Sequence, residues 1–165
     1  MFPYVSQIYQ VNGPGIRGQF FLAEDKILKI KLSLSENKNI LSWQVEGERP
    51  SPLLEKEIYL WMKDYADKKN SQIKLPLEFE NLSNYNELIL KHIYHIPFGF
   101  TISYQDLAKL TGKPRAARAV GNACGKNPFP LIVPCHRVLA SGGKLGGYTG
   151  GLEIKIRLLE FELSA

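Results

Sequence analysis

Cysteine, methionine and tryptophan each occur only twice in this chain of 165 residues, and histidine three times. Two cysteines make no disulfide framework, and with three histidines they form no ligand cluster of recognisable metal spacing. No metal and no organic cofactor are therefore expected. Long apolar runs are missing too: nothing approaches the roughly 18 apolar residues of a membrane helix, so no membrane partner is expected. The opening Met1-Phe2-Pro3-Tyr4-Val5-Ser6-Gln7 shows no basic leader followed by an apolar run, so no export signal is expected either. Free thiols in a reducing compartment follow, with the cytoplasm, or a nucleus if the source has one, as the expected location. Internal repeats and low-complexity tracts are also lacking.

What is present is ordinary in bulk and uneven in detail. The hydrophobic fraction is 44% and the charged fraction 22%, as in a globular protein large enough to bury a core. Residues 1–80 carry 11 basic and 11 acidic side chains, whereas residues 81–165 carry 10 and 5, so the net charge of +5 lies entirely in the second part. Between 99 and 137, Lys109, Lys113, Arg115, Arg118, Lys126 and Arg137 face Asp106 alone. A solvated basic face is the bland account; a polyanionic partner is the functional one.

The first part reads as mixed strand and helix. Strands are expected over Tyr4–Val11, Gln19–Ala23 and Ile27–Leu34, with turns at Asn12-Gly13-Pro14-Gly15 and Glu24-Asp25. Ser51-Pro52 should start a helix with Leu54, Ile58, Trp61, Met62 and Tyr65 on its apolar face. Ile73, Leu75, Leu77 and Phe79 alternate, and Pro76 among them marks an edge or a linker. In the second part Ser83 should cap a helix facing inward with Leu88, Ile89, His92 and Ile93. Ser103 should cap another, carrying Leu107, Ala108 and Leu110 and closed by Gly112. A third should begin at Pro114 and stop near Gly125, which makes a helix-turn-helix candidate. A turn at Ser141-Gly142-Gly143-Lys144 and the run Leu145–Gly151 give the outline of a wing. A last helix is expected over Leu152–Leu163, packing Ile156, Leu159 and Leu163 or a neighbouring stripe.

Leu131-Ile132-Val133-Pro134-Cys135-His136-Arg137-Val138 is the segment richest in chemistry. Val133 precedes proline and is biased to extended geometry, so a buried strand is expected to deliver Cys135. The thiolate is the nucleophilic form, and His136 or Arg137 could raise its fraction. By itself this defines a reactive cysteine and no particular reaction.

Five motifs in order carry a resemblance: Ser103-Tyr104-Gln105-Asp106-Leu107-Ala108, then Arg115-Ala116-Ala117-Arg118-Ala119-Val120-Gly121, Asn127-Pro128, Pro134-Cys135-His136-Arg137 and Gly147-Tyr148-Thr149-Gly150-Gly151-Leu152. In order and spacing the chain resembles the methylated-DNA–protein-cysteine methyltransferases, the O6-alkylguanine-DNA alkyltransferases, over roughly residues 83–165. The resemblance implies an α+β protein: a small sheet-and-helix domain of ribonuclease-H-like shape at 1–80, then a winged helix-turn-helix domain at 81–165. It implies a monomer that needs no obligate protein partner and binds double-stranded DNA containing O6-alkylguanine through the minor groove. The guanine is flipped out and its alkyl group moves irreversibly to Cys135.

The resemblance also distributes roles. His136 would be the base, acting through a bound water because neighbours on an extended backbone point opposite ways, and Glu162 would orient it. Glu160 lies two residues away, about 200° round a helix, so both cannot face the site. Asn127 would hold the turn before the active-site segment, and Tyr104 would press on the target phosphate and hydrogen-bond the flipped base. Pro130 and Tyr148 would line the alkyl pocket, with backbone at Cys135, Val138 and Thr149 reading the guanine edge. Arg118 would fill the gap in the base stack, while Arg115, Ala116, Ala117 and Arg137 would complete the DNA-binding surface. Cys124, near the active-site end of the recognition helix, and Thr149 depart from the usual family pattern.

Other readings are weaker. Gly142-Gly143-Lys144-Leu145-Gly146-Gly147 lacks the spacing of a phosphate loop, and His92 with His95 is a better packing pair than a metal pair. An alkyltransferase-like protein that recognises lesions without repairing them would lack the cysteine that this chain keeps. A cysteine hydrolase would leave Arg118 among its alanines without a purpose.

Overall fold

In the computed structural model, which describes residues 3–164, the chain divides between Glu78 and Phe79 into two compact units. Met1 and Phe2, the start of the segment read for an export signal, and Ala165 lie outside the described residues. The architecture is mixed α+β. No helix among the described residues is long and apolar enough to cross a membrane.

In the first unit a five-stranded sheet comprises β1 (Tyr4–Val5), β2 (Tyr9–Asn12), β3 (Ile16–Ala23), β4 (Lys26–Leu34) and β5 (Ile40–Gly47). Glu24 and Asp25, at φ 49° and 59°, make the tight turn whose twist suits the β3–β4 hairpin. β5 lies parallel to β3 on one side and antiparallel to β1 and β2 on the other. The single strand expected over Tyr4–Val11 is broken at Ser6–Ile8, where the Ser6 hydroxyl itself accepts the Val45 N–H at 3.0 Å. β5 has no counterpart in the sequence reading. Leu41, Ser42 and Trp43 are buried in succession, so this central strand does not alternate.

Helix α1 (Pro52–Ala66) starts as expected, with the Ser51 hydroxyl accepting the Leu54 N–H at 3.1 Å. It buries Leu54, Ile58, Met62 and Tyr65, while Trp61 is half-buried. Its Tyr59 ring meets Trp43 of the sheet at 5.7 Å between centroids. The alternating segment after α1 reduces to one bridge, Leu77 with Ile27, so Pro76 marks an edge.

The second unit holds α2 (Asn84–Tyr94), β6 (Ile102–Ser103), α3 (Tyr104–Leu110), α4 (Ala117–Gly125), β7 (Val138–Leu139) and α5 (Leu152–Leu163). Ser83 and Ser103 cap α2 and α3 through the amides of Asn86 and Asp106. α2 turns inward Ile89, Leu90 and Ile93; Leu88 is exposed, so its stripe is rotated from the expected one. Leu110 is exposed as well. α4 begins at Ala117 and not at Pro114, because Pro114 and Arg115 form a turn and Ala116 is the cap. α5 has the expected span on the neighbouring stripe: Ile154, Lys155, Leu158, Leu159 and Glu162 are buried. β6 and β7 pair in parallel over two residues, and no strand forms in 141–151.

Candidate active site

Leu131 settles the shape of the cysteine segment. It is buried with φ at 79°, a left-handed conformation that an aliphatic side chain adopts only under tertiary constraint. Three residues on, Pro134 (φ −80°, ψ 65°) sits in a tight turn in which Cys135 N–H donates to the Val133 carbonyl at 2.8 Å. Cys135–Arg137 then form one turn of 3-10 helix. The expected strand is therefore absent. Two consecutive turns, at Leu131 and Pro134, deliver Cys135 instead.

Asn127 fixes that geometry. Its Nδ2 donates to the Val133 carbonyl at 2.8 Å and to Cys135 Sγ at 3.1 Å, while its Oδ1 accepts the Phe129 N–H at 2.9 Å. One side chain thus ties the end of α4 to the thiol and supplies a donor that favours thiolate. Burial pushes the Cys135 thiol up, and the Asn127 bond, the Lys155 ammonium and the Tyr148 hydroxyl oppose it. The Tyr148 hydroxyl is buried beside Cys135 but makes no hydrogen bond of ordinary geometry there.

On the far side of the 3-10 turn, His136 Nε2 lies 2.6 Å from Glu162 Oε1, and both residues are buried. Burial lowers the affinity of His136 for a proton, against the pull of Glu162. Burial would raise Glu162, but His136 and Arg137 outweigh it and hold the carboxyl at about 2. The site therefore holds a carboxylate and a neutral imidazole. Nε2–H donates to Glu162, which leaves the lone pair on Nδ1; that atom is buried with no hydrogen-bond partner in the protein. No hydrogen bond joins His136 to Cys135 among the described residues. The absence of direct contact was expected, but its reason is a helical turn and not an extended backbone. Glu160 is exposed, so Glu162 is the carboxylate that faces inward.

The family resemblance puts Arg137 on the DNA-binding surface, yet the side chain is buried, at 6% exposure. Its Nε and Nη2 donate to Glu162 at 2.7 and 3.0 Å, and its Nη1 donates to the Ile96 carbonyl at 2.6 Å. Its charge is spent inside the unit, compensating Glu162.

A cavity of about 430 Å³ opens above the thiol, lined by Tyr104, Gly121, Cys124, Gly125, Cys135, Gly147, Tyr148 and Thr149. The structure thus brings Tyr104, Tyr148 and Thr149 to Cys135, and Cys124 with them. Pro130 and Val138 are not among the lining residues. Tyr104 is raised to about 12 by burial first, then by the two thiols, so its hydroxyl keeps its proton at neutral pH. Arg118 is exposed on α4, at a neighbouring hollow shared with Tyr104, Gln105 and Ala117. Arg115 is exposed in the turn ahead of α4, and Ala116 is half-buried.

Lys155 is the residue that sequence reasoning missed. It is fully buried, and its Nζ donates to the carbonyls of Val138, at 2.8 Å, and Leu145. It thereby joins β7, just past the cysteine turn, to the loop that carries Tyr148, and places a cation near both thiols. A signal was available: Lys155, Leu158, Leu159 and Glu162 lie at i, i+3, i+4 and i+7, one face of α5. No group of three or more potential metal ligands occurs among the described residues.

A thiol with a fixed donor that opens into a cavity, next in sequence to a buried imidazole oriented by a carboxylate, defines a cysteine-nucleophile site. Residues 84–164 match the family model of the 6-O-methylguanine DNA methyltransferase DNA-binding domain. The chain is 35% identical over 151 residues to a methylated-DNA–protein-cysteine methyltransferase of Methanosarcina barkeri, covering 92% of this chain and 86% of that one. It is 39% identical over 119 residues to the human protein of the same name, covering 68% of this chain and 56% of the human one. It thus spans little more than half of that human relative. A solved structure of Mycobacterium tuberculosis OGT in complex with DNA is similar, with a TM-score of 0.68 and 28% identity over 94% of this chain and 92% of that one. This chain belongs to the methylated-DNA–protein-cysteine methyltransferase family.

Proposed function

We propose that this protein is a single-use DNA repair protein that takes the alkyl group from the O6 of guanine in duplex DNA onto Cys135. The observation that carries the reading is the buried His136–Glu162–Arg137 network beside a thiol held by Asn127. The lone pair on His136 Nδ1 receives the thiol proton through a bridging water, and Glu162 stabilises the resulting imidazolium. Cys135 Sγ then attacks the alkyl carbon as the bond from carbon to O6 breaks. Tyr104 donates a proton to the departing guanine. Because the thioether is stable, the protein acts once.

On the DNA side, α3 and α4 serve as the helix-turn-helix, with α4 in the minor groove and Ala117 allowing close approach. Arg118 fills the stack vacated by the flipped guanine. Residues 141–151 stand in the place of a wing, and the first unit is ribonuclease-H-like. Tyr148 and Thr149, which line the cavity, border the guanine and its alkyl group. The protein works as a monomer. Its activity on DNA rests on phosphate contacts from Arg115 and neighbouring lysines, so affinity falls steeply with salt.

The test is stoichiometry. Duplex DNA with one O6-methylguanine is mixed in excess with limiting protein. Lesions lost should equal protein added and not increase with time. Continued turnover contradicts the proposal, and binding with no loss of lesions supports lesion recognition without repair.

A further inference from the structure

Both of the chain's cysteines look into one cavity. Neither is in a disulfide; Cys135 is buried, and Cys124 is half-buried near the C-terminal end of α4. The proposed transfer uses one thiol and gives the other nothing to do. We infer that Cys124 is a second nucleophile of this cavity, capturing the far end of a two-carbon alkyl group with its own leaving group once Cys135 holds the near end. This inference rests on the transfer to Cys135 proposed above. It names a substrate class, O6-(2-haloethyl)guanine.

The steps balance without an oxidant. Cys135 Sγ forms a bond to the first carbon as that carbon's bond to O6 breaks, leaving a 2-haloethyl thioether. Its sulfur lone pair then displaces halide, which departs as the anion, and a three-membered episulfonium ring forms. Cys124 Sγ opens the ring at one carbon and loses its proton to solvent. The product is an ethylene bridge with a thioether at each end. Such a bridge joins sulfurs standing well beyond the roughly 2.05 Å of a disulfide bond. It requires the two sulfurs to approach to the span of two C–S bonds and one C–C bond across the cavity that both residues line.

The chemistry gives the two thiols an order, because Cys124 attacks a ring that forms only after Cys135 is alkylated. Cys124 is pushed up to about 12 by burial first and by the charge of Cys135 second, while the Lys155 ammonium pulls it down. Lys155 stays in place when Cys135 is alkylated and goes on opposing the effect of burial on Cys124. Water is its competitor, since it would open the ring to a hydroxyethyl group on Cys135.

The experiment uses the full chain and duplex DNA freshly treated with a 2-chloroethylating agent and purified, with O6-methylguanine duplex in parallel. Intact and peptide masses are read after reaction. The expected main product from the chloroethylated duplex gains one ethylene less two hydrogens, with the Cys124 and Cys135 peptides joined. Cys124→Ala should give hydroxyethyl on Cys135 and no bridge. Hydroxyethyl on Cys135 with Cys124 free in the unmodified chain would overturn the inference while leaving the proposed function intact. Bridging that persists in Cys124→Ala would overturn it too. No gain from either duplex would overturn both.

Discussion

The two units bury different things. Among the described residues the first buries only two polar side chains, the hydroxyls of Ser6 and Ser42, within an apolar core. The second buries His136, Arg137, Lys155 and Glu162 together with the Cys135 thiol. The carboxylates of the first unit that bond to side chains do so nearer the surface, as Glu55 does in accepting the hydroxyls of Tyr4 and Tyr9 at 3.3 and 2.7 Å. A buried charge gains little net stability even when paired, and the loss of one partner is costly. The second unit therefore retains an arrangement that folding alone does not require. The buried ionisable network thus lies in the unit that carries Cys135.

Substitutions can break or sharpen this contrast. The largest effect belongs to Cys135→Ala, which should abolish alkyl acceptance while DNA binding, measured by titration, persists. Loss of both together would mean that the thiol holds the fold. Glu162→Gln comes next, since it leaves Arg137 buried without its counter-charge. It should cost roughly 3–5 kcal/mol in urea unfolding and slow methyl transfer as well. Arg118→Ala should slow repair of duplex DNA by tenfold or so more than reaction with free alkylguanine base, on the scale of a few kcal/mol for flipping. Equal slowing of both would count against its role in the stack. Lys155→Met leaves two carbonyls unpaired and should cost about 1–3 kcal/mol, with slower transfer to Cys135. The smallest effect is the control in the first unit: Glu55→Gln should change stability by no more than about 1 kcal/mol and leave transfer alone.

The pH dependence follows from the same groups. His136 is held below 6.5 by burial, so it stays neutral above that value and is lost as a base only on protonation at lower pH. The acid limb of the methyl-transfer rate should thus fall below 6.5; a limb above it would contradict the assignment. For stability, the folded Glu162 carboxyl lies at about 2 against an ordinary 4.5. The unfolded chain binds more protons in that interval, so this contribution is complete above 4.5 and is lost as pH falls towards 2. Acid titration of unfolding stability in the unmodified chain and in Glu162→Gln checks the window.

Much of the second unit was legible because its signals are local. Serine caps announced α2 and α3, and the span of α5 followed from its periodicity. The choice of Glu162 over Glu160 needed only the helical repeat and the family motif. The misses lie where tertiary constraint overrides local preference. Val133-Pro134 read as extended, but left-handed Leu131 and the turn at Pro134 bend the chain into the cavity. Arg137 read as surface charge because sequence does not show which cations a buried carboxylate gathers. Lys155 lies on the buried face of its helix, but its partners are backbone carbonyls that sequence does not reveal, and β5 was hidden because a central strand has no exposed face to alternate with.

The most direct test of the central claim is peptide mass after mixing the protein with duplex DNA containing one O6-methylguanine. The account predicts a single methyl group per molecule, on Cys135 and on no other residue. Unmodified Cys135 alongside loss of the lesion, or a methyl group elsewhere, would contradict it.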